Sequence, residues 1–390
     1  MRIYKYSFLA LAALVCANLA LSAPKDSLAK KHVSFGNAAI EEADYARAVE
    51  HYENALKDDP DSKSVMYSLG VLYLQTGDME KAKDLFMSYL EKYPMDKDGL
   101  FGLSNAYILK GEYEKAVRLL GQAAASDKNS EALRRNLGYA QLQSGDVANA
   151  RKTLTELVTD CPSNALNRFD LALAMSAGND FENAVKETKA GLLLSPEAEG
   201  KILYSDLLDA IGGSLLDEAI ELFRKNEMDK ALAILEPLCE RFPDYAKAQA
   251  YLGHSSNLKL PPDRKKAEKA YRAALAATRF VPLSRQDLAI IYDNLGSIVL
   301  RKGELEEAES YFRSGIAQES EYAPVYFNFG LLRAHKEAFT EASVSFMDAV
   351  RRDKSMADYI ANHPKLAKFR ATTDYTNLLV TIKKELNSNE

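Results

Sequence analysis

The stretch that decides the fold reads Lys63-Ser64-Val65-Met66-Tyr67-Ser68-Leu69-Gly70-Val71-Leu72-Tyr73-Leu74-Gln75-Thr76-Gly77-Asp78, continues Met79-Glu80-Lys81-Ala82-Lys83-Asp84-Leu85-Phe86-Met87-Ser88-Tyr89-Leu90, and is closed by Pro94. Val65 to Leu74 is apolar at helical spacing, with Leu69 and Tyr73 one turn apart on a shared face. Thr76-Gly77-Asp78 breaks that helix, and a second runs from Met79 to Tyr89 with Ala82, Leu85, Phe86 and Tyr89 turned inward. Pro94 stops it, because proline lacks an amide hydrogen and its ring clashes with the preceding turn. Gly70 and Ala82 are expected to let the two helix backbones approach closely. The stretch therefore predicts two antiparallel helices joined by a tight turn.

The same grammar returns with a period of 34 residues. Pro60, Pro94, Pro162 and Pro196 keep that beat, with Lys128 in the remaining slot. Ala48, Ala82, Ala116, Ala150 and Ala184 form a second column, and Gly36, Gly70 and Gly138, completed by Ser104 and Ala172, a third. Gly77, Gly111 and Gly145 mark the turn. Five units, beginning at Ala29, Lys63, Lys97, Glu131 and Ala165, run over 29–198 without insertion. Repeats of this kind bury their apolar faces on their neighbours, which predicts an all-α solenoid.

The register slips over 199–288, where 13 residues from Glu199 to Ile211 precede a sixth unit at Gly212–Tyr245. Lys201 to Leu208 reads as an extra helical turn or two. A seventh unit starts near Ala246, its inter-helix loop lengthened by Leu260-Pro261-Pro262-Asp263 and its second helix expected at Arg264 to Ala277. Two regular units return over 289–356, and 357–390 is expected to supply C-terminal capping helices, with Thr373-Asp374 as the helix cap and Leu378, Leu379, Ile382 and Leu386 on one face.

Counted from Lys63, the signature positions read Met66, Leu69, Gly70, Tyr73, Gly77, Ala82, Phe86, Tyr89 and Pro94. In these columns the chain resembles the tetratricopeptide repeat family, with Met66 in place of an aromatic and Tyr89 in place of a second alanine. The resemblance implies a right-handed superhelix whose first helices line a concave groove that binds peptide segments, with positions 2, 5, 6, 9, 12 and 13 of each unit facing it. Position 5 then holds Val33, Tyr67, Phe101, Arg135 and Phe169, with Phe327 in the ninth unit. These rings are either an aromatic stripe on the groove wall or ordinary core between helices. Position 6 holds Ser34, Ser68, Gly102, Asn136 and Asp170, then Asn294 and Asn328, and position 9 gives Asn37 and Asn105. Asparagines there could track a peptide backbone, since each offers donor and acceptor, or stand solvated. The family's carboxylate clamp for chaperone tails would need Lys, Asn, Asn, Lys and Arg where the first three units have Val33, Asn37, Ser68, Asp98 and Gly102. Only Asn37 fits, so that role is not expected.

The totals exclude several classes. The chain has 390 residues with 50 Lys and Arg against 56 Asp and Glu, a balance that offers no basic field for phosphates, so no nucleic-acid partner is expected. Its Gly and Pro content is too low, and its hydrophobic content of 47% too high, for a disordered or collagen-like chain. Cys16, Cys161 and Cys239 form no metal-ligand spacing, and His32, His51, His254, His335 and His363 lack a second ligand one turn away. No nucleophile elbow, phosphate loop or H-E-x-x-H motif is present, so neither cofactor nor metal is expected.

Residues 1–22 read as a signal peptide: Arg2 and Lys5 precede an apolar run from Phe8 to Leu21, and Ala20 and Ser22 are the small residues before a cut at Ala23. Val15 argues against lipidation of Cys16. Cleavage would leave 48 basic against 56 acidic residues, a net charge of −8. Cys161 and Cys239, two units apart, are expected to remain separate thiols. The sequence thus points to an exported bacterial protein of the periplasm or cell envelope, touching a membrane only through an uncleaved signal or a membrane partner. It is expected to be a non-enzymatic scaffold that binds protein or peptide partners. Two alternatives stay open: an accessory subunit for envelope polysaccharide or peptidoglycan assembly, contacting a synthase or glycan, and an enzyme with a site in the irregular region.

Overall fold

Side-chain caps and left-handed turns set the helix boundaries. A computed structural model of the chain describes residues 27–196 and 198–387, so residues 1–22, expected from the sequence to be a signal peptide, and Cys16 lie outside the described residues. In the first five repeats the pairs are α1 (Ser27–Glu41) with α2 (Tyr45–Asp58), α3 (Lys63–Thr76) with α4 (Met79–Lys92), α5 (Lys97–Leu109) with α6 (Tyr113–Ser126), α7 (Glu131–Gln143) with α8 (Val147–Asp160), and α9 (Ala165–Ala177) with α10 (Phe181–Leu194). Asp44, Asp96, Ser130, Asp146 and Asn164 each precede a helix and accept backbone N–H groups of its first turn. Those amides would otherwise lack partners.

The chain then continues as α11 (Ala198–Arg224), α12 (Met228–Arg241), α13 (Ala246–Leu258), α14 (Arg264–Ala277), α15 (Arg285–Lys302), α16 (Leu305–Gln318), α17 (Ala323–His335) and α18 (Phe339–Arg352). The inserted residues before the sixth unit form the first half of α11, continuous with that unit's own first helix. In the seventh unit the turn is the loop Lys259–Asp263, where Asp263 accepts from the Lys266 amide to start α14. Among the described residues there is no strand.

The chain divides into two compact units, residues 1–207 and 208–390, with the division inside α11. Within each, a first helix packs on its own partner and the second helix packs on the next pair. The N-terminal unit has a core around Leu69, Phe86 and Tyr89, continued by Leu100, Leu120 and Leu133. The C-terminal unit ends in α19 (Met356–Asn362), a 3-10 turn (Pro364–Leu366), α20 (Ala367–Arg370) and α21 (Thr373–Asn387). Ile360, Leu366, Phe369, Leu378 and Ile382 cover Ala342, Phe346 and Val350, closing the last apolar face. The helix cap differs from expectation by one residue: Thr372, not Thr373-Asp374, accepts the Tyr375 amide at 3.3 Å.

The role expected of Gly70 also changes. A Cβ there would stand 2.5 Å from the Phe86 ring, so the missing side chain makes room for a ring carried by the second helix. Backbone-to-backbone approach is not what the glycine column supplies.

Candidate partner-binding surface

The first helix of each repeat carries every residue singled out for the groove. In the N-terminal unit Tyr67 is 9% exposed, and its ring meets Phe86 edge-on with centroids 6.0 Å apart. Burial, reinforced by Asp98 and Asp96, pushes its phenol up to about 12. Phe169 is buried too: its ring lies where a Cβ on Gly191 or on Gly200 would be only 2.5 Å away. Both rings fill space between helices. Phe101 is half-buried, one turn before Asn105 on α5.

The polar residues bond across repeat boundaries. Asn136 Nδ2 donates to Asn105 Oδ1 at 2.9 Å, and both side chains are buried. Arg135 Nε donates to Asp170 Oδ2 at 2.6 Å, with side chains 10% and 9% exposed. A charge pair this deep is held in place by the cost of exposing either partner to an apolar interior alone. Arg135 is therefore committed to the next repeat.

The C-terminal unit repeats the device with more open residues. Asn257 Nδ2 donates to Asn294 Oδ1 at 3.2 Å, while Asn294 Nδ2 donates to the Ile290 carbonyl at 2.9 Å. Asn328 Nδ2 donates to Asp293 Oδ1 at 2.9 Å. Asn294 and Asn328 are half-buried, but Asp293 is enclosed, and burial pushes its carboxyl up to about 7 against the lowering effect of the Asn328 hydrogen bond. Phe327 is half-buried against Phe346, Tyr359 and His363, at centroid distances of 5.8, 6.3 and 5.5 Å.

Sequence reasoning passed over His254. Its Nδ1 stands 2.9 Å from the Tyr271 hydroxyl, and the rings of Phe223, Tyr251 and Tyr271 surround it. Burial pulls the imidazole down to about 4, so it is neutral near pH 7. Its place at position 9, where other units hold Asn37 and Asn105, was the available signal. Cys161 and Cys239 are both free thiols, the first half-buried and the second buried, where desolvation raises the thiol to about 12.

Of the nine residues proposed from the sequence, Phe101, Asn294, Phe327 and Asn328 have surface to offer a partner. Tyr67, Asn105, Arg135, Asn136 and Phe169 are buried in contacts within and between the repeats. Among the described residues no group of three or more His, Cys, Asp or Glu is placed to hold a metal ion. None of the described helices is long and apolar enough to cross a membrane. The surface offers half-buried rings and amide side chains, suited to binding a chain segment.

A tetratricopeptide repeat family model matches residues 39–103 and 107–160. No curated protein matches the chain. Among solved structures, a thermophilic TPR protein of Thermus thermophilus is similar at 20% identity, covering 46% of this chain and 98% of that one, with a TM-score of 0.40. A tetratricopeptide repeat protein from Parabacteroides merdae ATCC 43184 covers 69% of this chain and 98% of that one at 14% identity, with a TM-score of 0.42. YrrB, described as a TPR protein with an unusual peptide-binding site, covers 44% of this chain and 89% of that one at 19% identity, with a TM-score of 0.38. Proteins built on this repeat are typically non-enzymatic scaffolds that bind peptides or proteins. With the signature columns in register, the helices paired as they require and the family model matching on the same residues, the stretch 39–160 is built of tetratricopeptide repeats, and the chain is similar to proteins of that family.

Proposed function

We propose that this chain is a non-enzymatic scaffold that takes segments of partner proteins on the first-helix faces of its repeats, and that it works in the bacterial cell envelope. The observation that carries the reading is a half-buried ring beside a half-buried amide, with a second half-buried amide at the same position one repeat earlier. Phe327 and Asn328 adjoin on α17, and Asn294 lies one repeat before them. A ring that keeps part of its surface can bury apolar side chains of a partner, and an amide beside it can meet the partner's backbone. The envelope location is supported by the pattern of residues 1–22.

The test is capture of partners from envelope extract by the chain lacking residues 1–22. Phe101→Ala/Phe327→Ala is expected to lose partners that the wild type retains. These two rings are better probes than Tyr67 or Phe169, whose truncation would open core cavities. Identical capture by wild type and variant would sink the reading. Fractionation of cells expressing the full chain checks the compartment, with residence in the cytoplasm as the contrary result.

A further inference from the structure

The N-terminal unit opens on a helix whose outer face no described residue covers. Leu28 and Phe35 of α1 are 50% and 56% exposed, two turns apart on one side, while Ala29, Gly36 and Ala39 are buried. The Phe35 ring leans on His51 of α2 with centroids 5.5 Å apart, and His51 meets His32 at 6.0 Å. His32 Nε2 in turn stands 3.7 Å from Asp58 Oδ2 at the end of α2. The ring is thus held from behind and keeps its outer surface. In the C-terminal unit, by contrast, Leu366, Phe369 and Leu378 cover the last apolar face. A terminal repeat that shows apolar surface leaves a solenoid without its cap.

Spacing and charge indicate what covers this face. Leu28, Lys31, Phe35, Ala38 and Glu42 follow one another at intervals of three and four, the seam along which a helix meets a second helix. Lys31, Ala38 and Glu42 are exposed as well. Glu42 continues the last turn, its amide donating to the Ala38 carbonyl at 3.1 Å. The charges of α1 run against its own dipole. Lys30 and Lys31 stand near its start, where the first turn holds no acid, and Glu41 and Glu42 at its end, where the last turn holds no base. A second α1 laid antiparallel on the seam corrects both ends. With the axis between Gly36 and Asn37, Lys31 meets Glu42, Phe35 meets the small Ala38, and Leu28 meets Tyr45, each contact occurring twice. A parallel copy would set lysine on lysine and glutamate on glutamate. Glu42 also pairs with Arg47 of α2, and that pair is exposed.

We propose that the outer face of α1 is a self-association surface, and that its occupant is the α1 of a second copy of this chain, antiparallel about a two-fold axis. Such an interface uses one patch twice, which the self-complementary order of Lys31, Phe35, Ala38 and Glu42 allows. Phe35 is the apolar anchor, and the Lys31–Glu42 contacts set direction and register. One helix pair buries less than the roughly 1,200 Å² of a standard interface, so the dimer is weak and its population follows concentration. The surface shares no residue with the partner-binding positions Phe101, Asn294, Phe327 and Asn328, so either can fail alone.

The test is sedimentation velocity of the chain lacking residues 1–22 over a series of concentrations. The chain is expected to pass from monomer to dimer as concentration rises. Phe35→Ala should raise the dissociation constant about tenfold or more, the effect of truncating an aromatic anchor. Charge reversal tests the direction. Lys31→Glu and Glu42→Lys should each stay monomeric where the wild type dimerises, because each sets like charges across the axis. An equimolar mixture of the two should dimerise again, because both contacts are then complementary. Thermal melts matching wild type separate lost association from lost fold, and Leu28→Gln supplies a second weakened dimer if a reversed chain melts early. A monomer at every concentration overturns the proposal, and so does a dimer that keeps its affinity in Phe35→Ala. A mixture of the two folded, reversed chains that stays monomeric overturns the antiparallel pairing and the proposal with it. Each of these outcomes leaves partner capture through Phe101 and Phe327 standing.

Discussion

The ring of Phe346 lies so close to Gly330 that a Cβ on the glycine would stand 2.5 Å from it. The same fit recurs between Gly36 and Tyr52, Gly70 and Phe86, Gly253 and Tyr271, and Gly296 and Phe312. Where that column holds Ser104 or Ala172, the residue at the facing register is Leu120 or Thr188, and no ring is carried. Gly138 faces Leu154, so a glycine permits a ring without demanding one. Each repeat is thus keyed by a small residue on its first helix and the size of the side chain opposite.

Gly330→Ala should therefore lower stability by about 1–3 kcal/mol, the usual cost of forcing extra volume into a packed site. Phe346→Leu alone should also destabilise, by leaving part of the ring's space empty. Combined, the two should cost less than their sum, because the smaller side chain accepts the new methyl. Denaturant melts of the four chains measure that coupling. Strict additivity would mean that the ring and the glycine do not share the space.

The turn inside each repeat supplies a second prediction. Its residue is left-handed throughout the regular units: Gly77 at φ 87° and Gly303 at φ 86°, but also Ala43 at 57° and Glu337 at 58°. A side chain with a Cβ is strained there, so Glu337→Gly should raise stability by up to about 1 kcal/mol. Gly303→Ala should do the reverse. A fall in melting temperature for Glu337→Gly would contradict the strain argument.

These pairs also show what could be read beforehand. The periodic columns place the helices because apolar spacing, turn residues and proline stops all act locally, and Arg264 to Ala277 emerges with the boundaries the sequence predicts. Which face a ring uses is not local. Tyr67 and Phe169 share a column with Phe101 and Phe327, yet the former pair are enclosed because Phe86, Gly191 and Gly200 from neighbouring helices receive them. Left-handed Ala43 and Glu337 were invisible for a similar reason, since neither residue type announces that conformation.

Arg135 tests whether a repeat-face residue is held for structure. Arg135→Met leaves the Asp170 carboxylate buried without its cation, and should cost about 3–5 kcal/mol. Arg135→Met/Asp170→Leu should recover most of that loss, because an apolar pair of similar volume needs no counter-charge. The comparison is made by thermal melts of the single and double variants. A single variant that melts like wild type while losing partner binding would move Arg135 from the fold to the recognition surface.

Asp293 and His254 should impose opposite pH dependences on stability. Asp293 rises from an ordinary value of 3.8 to about 7 on folding, so between those values the native state holds a proton that the unfolded chain has released. Its contribution is present in full below about pH 4 and is lost as pH rises through about 7. His254 falls from 6.5 to about 4, so between those values the unfolded chain binds the proton instead. Its contribution is present above about pH 6.5 and is lost as pH falls through about 4. Across most of the shared window the two slopes oppose each other, and removing either should expose the other. Asp293→Asn keeps an acceptor for Asn328 and should leave a chain whose stability declines on acidification from pH 6.5 to 4, relative to wild type. At pH 8 the same variant should be more stable than wild type by an amount on the order of a few kcal/mol, since it no longer buries an ionised carboxylate. His254→Phe should show the reverse, losing stability as pH rises from 4 to 7. Urea denaturation at a series of pH values reads both slopes. Parallel profiles for Asp293→Asn and wild type would mean that Asp293 titrates as an ordinary, solvated carboxyl.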